Sequence, residues 1–125
     1  MNQKRPINLD LGTMKFPPMA IASILHRVSG LVLFLLMPAM LYFLSMSLHS
    51  NESFVELQRT IYSNPLYKLV LWAFGAALIY HLLAGIRHLA MDVGYGEQVS
   101  SGRRSAILVI ALAIILSLIL GFWIW

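Results

Sequence analysis

Three stretches of this chain stay apolar for about the length of a bilayer crossing, and short polar segments separate them. At 1.5 Å per residue, a helix needs about 20 predominantly apolar residues to cross a hydrocarbon core of roughly 30 Å. Val28 to about Leu48, with a polar but helix-compatible lead-in from Met19, forms the first stretch. Leu69 to Ile86 and Ala106 to Trp125 form the others, and none of the three holds an Asp, Glu, Lys or Arg. The pattern predicts an all-α membrane protein with three transmembrane helices, over about residues 19–48, 66–90 and 105–125, in a single membrane-anchor domain covering 1–125. Pro17-Pro18 and Pro65 predict the starts of the first two helices, because proline suits a first turn. Pro38 inside the first predicts a bend. The 49–68 and 87–105 segments, including Ser100 to Gly102, read as loops.

Composition sharpens this. The chain of 125 residues is 59% hydrophobic and 11% charged, which excludes a soluble globular enzyme and a disordered chain alike. It has no cysteine, so it carries no disulfide, thiolate nucleophile or Cys-ligated metal, and redox chemistry here requires a bound cofactor. The net charge of +4 is not read as a nucleic-acid signal, because the basic residues are segregated. Lys4, Arg5, Lys15, Arg27, Arg87, Arg103 and Arg104 fall on the side of the N-terminus, and only Arg59 and Lys68 on the other. The positive-inside rule then predicts a cytoplasmic N-terminus and a periplasmic C-terminus, with Trp123 and Trp125 at the far interface. The polar leader is too long for a signal peptide's n-region and the first apolar run too long for its h-region, so all three segments are expected in the mature protein. There is no internal repeat of the kind that builds a transporter from inverted halves. A subunit of a hetero-oligomeric helical bundle fits better.

Ionisable groups near or within a membrane helix are costly, and each becomes a functional candidate. At about 100° per residue, Ser23, Arg27, Gly30 and Phe34 form one stripe of the first helix, and Ala22, His26, Ser29 and Leu33 the stripe beside it. Taken alone, His26 and Arg27 read equally well as interfacial anchors reaching the headgroups. Ser23, one turn before Arg27, adds a hydroxyl beside a fixed cation, a pair suited to a carbonyl or anionic ligand. In the second helix His81 lies six residues before Arg87, about 9 Å inside the cytoplasmic end. Ala77, Ala84 and Gly85 flank it, leaving room for a flat macrocycle against the backbone, and imidazole is a common axial ligand of haem iron. A helix-packing notch with a hydrogen-bonded histidine is the competing account. His88 shares the face, with Asp92 four residues on, and reads as an interface residue. His49 reads as a loop histidine, and the methionines as gap-filling hydrophobes.

Two longer motifs gather these residues. Arg5-Pro6-Ile7 with Ser23-Ile24-Leu25-His26-Arg27-Val28-Ser29, and the run from His81 to Gly94 (His-Leu-Leu-Ala-Gly-Ile-Arg-His-Leu-Ala-Met-Asp-Val-Gly), resemble the two signature regions of the cytochrome b556 subunits of succinate dehydrogenase. The similarity covers nearly the whole chain and is nearest to the bacterial, four-subunit, ubiquinone-reducing type. It implies haem b as cofactor, with His81 as an axial ligand of its iron and the second axial ligand on another anchor chain. It implies Ser23, Ile24 and Arg27 at a ubiquinone site, and His26 and Arg27 near the haem propionates. The partners implied are a flavoprotein, an iron–sulfur protein and a second membrane anchor, in the bacterial cytoplasmic (inner) membrane. Succinate oxidation itself would take place on another subunit. Two alternatives stand beside this: a cytochrome b of another dehydrogenase or fumarate reductase, and a non-redox membrane accessory protein with incidental histidines.

Overall fold

The computed structural model describes residues 7, 9, 10, 12 and 14–125. The Arg5-Pro6 part of the first motif, and the cation Lys4, lie outside them. Among the described residues there are four α-helices, α1 (Pro18–His49), α2 (Asn51–Ser63), α3 (Pro65–Asp92) and α4 (Val99–Ile124), and no strand. α1, α3 and α4 are long and apolar enough to cross a membrane. α1 and α3 begin at the prolines, Pro18 and Pro65, and α1 runs through Pro38 as one helix.

α3 is the central element, packed against both α1 and α4, while α1 also touches α4. In lipid there is no hydrophobic gain from bringing Leu or Phe together, so association rests on close backbone approach and polar contacts. The burial pattern follows that physics. Phe34, Leu35, Leu118 and Phe122 lie outside, and the interior is made mostly of small residues, Ala22, Ala84, Ala106, Val109 and Ala113, with Leu57 and the rings of Phe43 and Tyr80. Polar ties fix the register between the helices. Tyr80 donates its hydroxyl proton to the Ala22 carbonyl of α1 at 2.7 Å. Trp72 Nε1 donates to the Ser117 carbonyl of α4 at 2.8 Å.

Two segments read as loops are helical. The first is α2. Ser50 and Ser53 cap each other's backbone, Ser50 Oγ accepting from Ser53 N at 3.1 Å and Ser53 Oγ from Ser50 N at 3.0 Å. This reciprocal cap satisfies two donors that a helix start otherwise leaves open. Ser53 Oγ also donates to Met46 O at 2.7 Å, folding α2 onto the last turn of α1. Leu57 is buried against the bundle, whereas Glu52, Glu56 and Arg59 are exposed. His49 is accordingly the last residue of α1, not a loop residue.

The second correction is the stretch 99–105, which forms the first turns of α4. Residues there are too polar to count toward a membrane span, yet compatible with a helix that continues above the hydrocarbon. The true link is only 93–98, turned by Gly94 (φ +95°) and Gly96 (φ +71°) in a region that side chains with a Cβ avoid.

Candidate functional site

His81 and His26 meet across the α1–α3 contact. Their rings stack with centroids 4.2 Å apart and planes inclined by 24°. His88, two turns further along α3, stacks more loosely on His26, at 5.5 Å and 29°. Gly85 lies between the two α3 histidines in sequence, and a Cβ there would stand 3.8 Å from His26 Nε2. Gly30 is more restrictive, since a Cβ would come within 3.1 Å of His81 Cε1. Glycine at Gly30 is what lets the imidazole lie against α1.

Ser29 organises the pair. It is only 7% exposed, donates its hydroxyl proton to the His26 carbonyl at 2.8 Å, and sits 3.0 Å from His81 Nδ1. That same Nδ1 is 3.2 Å from the His26 carbonyl. A carbonyl only accepts, and the Ser29 proton is already committed to it, so the network assigns the proton to His81 Nδ1, shared between Ser29 Oγ and His26 O. Nε2 is then an unprotonated lone-pair donor with no partner among the described residues. His26 Nε2 is buried and likewise has no hydrogen-bond partner. An orphaned buried polar atom carries a desolvation cost of about 1–3 kcal/mol, so such atoms call for an explanation.

The remaining candidates are placed differently. Ser23 is half-buried, and Ile24 and Arg27 are exposed on the outer side of α1. Neither Ser23 nor Arg27 has a hydrogen bond or ion pair within the described residues; of their stripe, Gly30 is the member that lies against His81. No group of three or more His, Cys, Asp or Glu among the described residues is placed to hold a metal ion.

Three residues stand differently in the structure from what the sequence suggests. Ser29 shows in the sequence only as a member of a stripe, its signal being a hydroxyl at helical spacing from His26. His88 has Asp92 as its sequence neighbour on the helix face, and it stacks on His26 instead. Arg87 has the place of an end-of-helix charge. It is 9% exposed, and its guanidinium reaches α4, Nε donating to Ser105 Oγ at 3.0 Å and Nη2 to the Gly102 carbonyl at 3.2 Å.

Comparison with known proteins decides the family. Residues 1–120 match the model of the succinate dehydrogenase/fumarate reductase transmembrane subunit. The chain belongs to that family. A relative from Coxiella burnetii, named succinate dehydrogenase cytochrome b556 subunit, is 51% identical over 125 residues, covering all of both chains. A Rickettsia typhi protein of the same name is 33% identical over 117 residues, 94% of this chain and 90% of its own. The cytochrome b560 subunit of Reclinomonas americana is 32% identical over 123 residues, 95% and 85% of the two chains. Membership of the family agrees with the three apolar helices, and makes this a multi-pass membrane subunit of a succinate dehydrogenase-type oxidoreductase.

Proposed function

We propose that the chain is the haem b- and ubiquinone-binding membrane anchor of a succinate:ubiquinone oxidoreductase, passing on electrons from an iron–sulfur subunit that a succinate-oxidising flavoprotein supplies. The observation that carries this reading is the state of the two imidazoles. His81 has its Nδ1 proton tied to a carbonyl and a hydroxyl, which fixes the ring and leaves Nε2 free, the arrangement that orients a histidine for metal ligation. His26 Nε2, orphaned and buried next to Gly85, is placed to meet a polar group brought in with the metal, as a propionate carboxylate would be. The residues therefore fit haem b. His81 would hold its iron, His26 and Arg27 would meet the propionates, and the second axial ligand would come from a second membrane anchor.

When bound, haem b supplies a one-electron site with a tunable potential. The chain's own residues do the rest. Ser23 donates a hydrogen bond to a quinone carbonyl, and Arg27, one turn on and exposed, places positive charge where negative charge grows as the quinone is reduced. Ile24 offers an apolar wall to the ring. The segregation of basic residues supports a cytoplasmic N-terminus, so that this end faces the peripheral subunits, with the C-terminus in the periplasm of a bacterial inner membrane. The family model spans fumarate reductase as well, and the names of the relatives above favour succinate dehydrogenase.

The test is made on the assembled complex. His81→Ala is expected to weaken or abolish the low-spin b-type spectrum in a reduced-minus-oxidised measurement with succinate as reductant. An unchanged spectrum would remove His81 as the ligand. For the quinone, Ser23→Ala should weaken binding by about tenfold or less, the loss of one hydrogen bond of about 0.5–1.5 kcal/mol. Arg27→Leu should lower turnover as well as affinity, since its charge acts on the reduced species. Reduction of an artificial acceptor that draws electrons from the peripheral subunits should be unaffected in both. Equal losses with ubiquinone and with that acceptor would mean faulty assembly and withdraw the quinone assignment.

A further inference from the structure

At the end of the bundle away from His26 and His81, α2 links the last turn of α1 to the first turn of α3. Two cross-helix contacts fix its height. Ser53 Oγ donates to Met46 O at 2.7 Å, which holds the first turn of α2 beside the last turns of α1. The ring of Tyr67, in the first turn of α3, meets Phe43 edge-on with centroids 5.5 Å apart, which ties the other end to α1 as well. Met46 and Phe43 both belong to the apolar run of α1 that extends to about Leu48. α2 has 13 residues and is about 20 Å long. With both ends held at the last turns of α1, it lies across the ends of α1 and α3 and does not project from them.

At about 100° per residue, α2 has three faces. Leu57 turns onto the bundle and is buried, with Ile61 beside it half-buried. Glu52, Glu56 and Arg59 share the opposite face and are exposed. Between these two, Phe54 and Tyr62 are 44% and 68% exposed, with Val55 and the amides of Asn51 and Gln58 on the same side. The surface that continues this third face on α1 is apolar, since Tyr42, Leu44 and Leu48 are exposed at the same height. Lys68 Nζ stands 5.8 Å from the centroid of the Tyr62 ring, a cation paired with an aromatic face. Aromatic rings with a cation, amides among them and hydrocarbon-facing residues alongside match the boundary between acyl chains and headgroups. We propose that α2 is an interfacial helix, with Phe54, Val55 and Tyr62 seated in the lipid surface and Glu52 and Glu56 turned to water. The two acids balance Arg59 and Lys68 over this segment, so apolar burial holds the helix there and anionic lipid is not required. This does not rest on the redox reading above.

The chain has no cysteine, so single cysteines at Phe54, Tyr62, Glu52 and Glu56 carry a spin label in the whole complex, in phosphatidylcholine nanodiscs, with the unsubstituted complex as background. Power saturation is read with oxygen, which concentrates in lipid, and with a water-soluble nickel chelate. Labels at Phe54→Cys and Tyr62→Cys should respond to oxygen and lose most of the response to nickel; those at Glu52→Cys and Glu56→Cys should show the reverse. Val55→Cys, which removes no ring, should repeat the lipid pattern if loss of an aromatic side chain prevents assembly. The pattern should persist unchanged when a minority of phosphatidylglycerol is added. Low response to both reagents at 54, 55 and 62 would overturn the proposal in favour of cover by another subunit. Nickel response there equal to that at 52 and 56 would overturn it in favour of a water-facing helix. A lipid pattern seen only with phosphatidylglycerol would overturn apolar burial as its cause.

Discussion

Toward α4, α3 presents Trp72, Tyr80, Ala84 and Arg87; toward α1 it presents His81, Gly85 and His88. Both seams are made of small residues and polar side chains within one helix, and they differ in how the polar atoms end. On the α4 side Trp72 reaches the Ser117 carbonyl, and Arg87 reaches Ser105 and the Gly102 carbonyl. Tyr80, whose ring packs with Val109 and Ala113 of α4, is also satisfied, its hydroxyl reaching across to the Ala22 carbonyl of α1. On the α1 side one nitrogen of His81 is tied down and the other is left without a partner, while His26 Nε2 is buried and orphaned. Lipid makes an unmatched polar atom costly wherever it occurs. The seam that tolerates such atoms is the one arranged to receive something.

The comparison is tested most severely at Gly85. Alanine there places its Cβ in ordinary contact with His26, at 3.8 Å, so Gly85→Ala should keep both assembly and haem. Gly85→Leu must displace the His26 ring. It should cost most of the haem, measured as the reduced-minus-oxidised absorbance per flavin, while helix insertion persists because leucine favours both membrane and helix. Full haem in the leucine variant would show that nothing docks on this seam.

Arg87→Leu probes the closed seam. It removes charged hydrogen bonds of about 1.5–3 kcal/mol each in net worth. The complex should lose resistance to heat in detergent, followed by the temperature at which the flavin-containing subunits dissociate, with the haem spectrum of surviving complex unchanged. A spectral change without loss of stability would mean the two seams are not independent.

The smallest effect is expected at Ser29. Ser29→Ala removes a neutral hydrogen bond to His81 Nδ1 worth about 0.5–1.5 kcal/mol, and the His26 carbonyl still accepts from the ring. Haem should remain bound, with a shifted midpoint potential or altered low-spin resonance, because the orientation of the ligand is softened. An identical potential and spectrum would show that the carbonyl alone holds the ring.

The fold was legible to the extent that lipid imposes it. Apolar length announced the three spans, and Pro18 and Pro65 marked two of their starts. α2 does not stand out by apolar length, although Phe54, Leu57 and Ile61 carry the three- and four-residue spacing of a short amphipathic helix behind the Ser50–Ser53 cap. The start of α4 was placed late because hydropathy measures depth in the bilayer, not helicity. Within the site, cost alone singled out His26, Arg27 and His81. Periodicity gives the face of each helix and not which faces meet or at what height, so the stacking of His26 on His81 and the tie through Ser29 were beyond it. Arg87 was misread for a related reason: a cation near a helix end looks solvated until its partner on the next helix is known.

The short link at 93–98, with its two left-handed glycines, bears on how the protein is made. α3 and α4 emerge from synthesis as a hairpin whose inner contacts are supplied by the chain itself, and their closure waits for no other subunit. α1, made first, has no such partner beside it in the chain: the carbonyl of His26 and the hydroxyl of Ser29 wait for α3 to bring His81 against them. The two seams of α3 thus differ in reach, one closed between neighbours in sequence and the other between residues more than fifty positions apart.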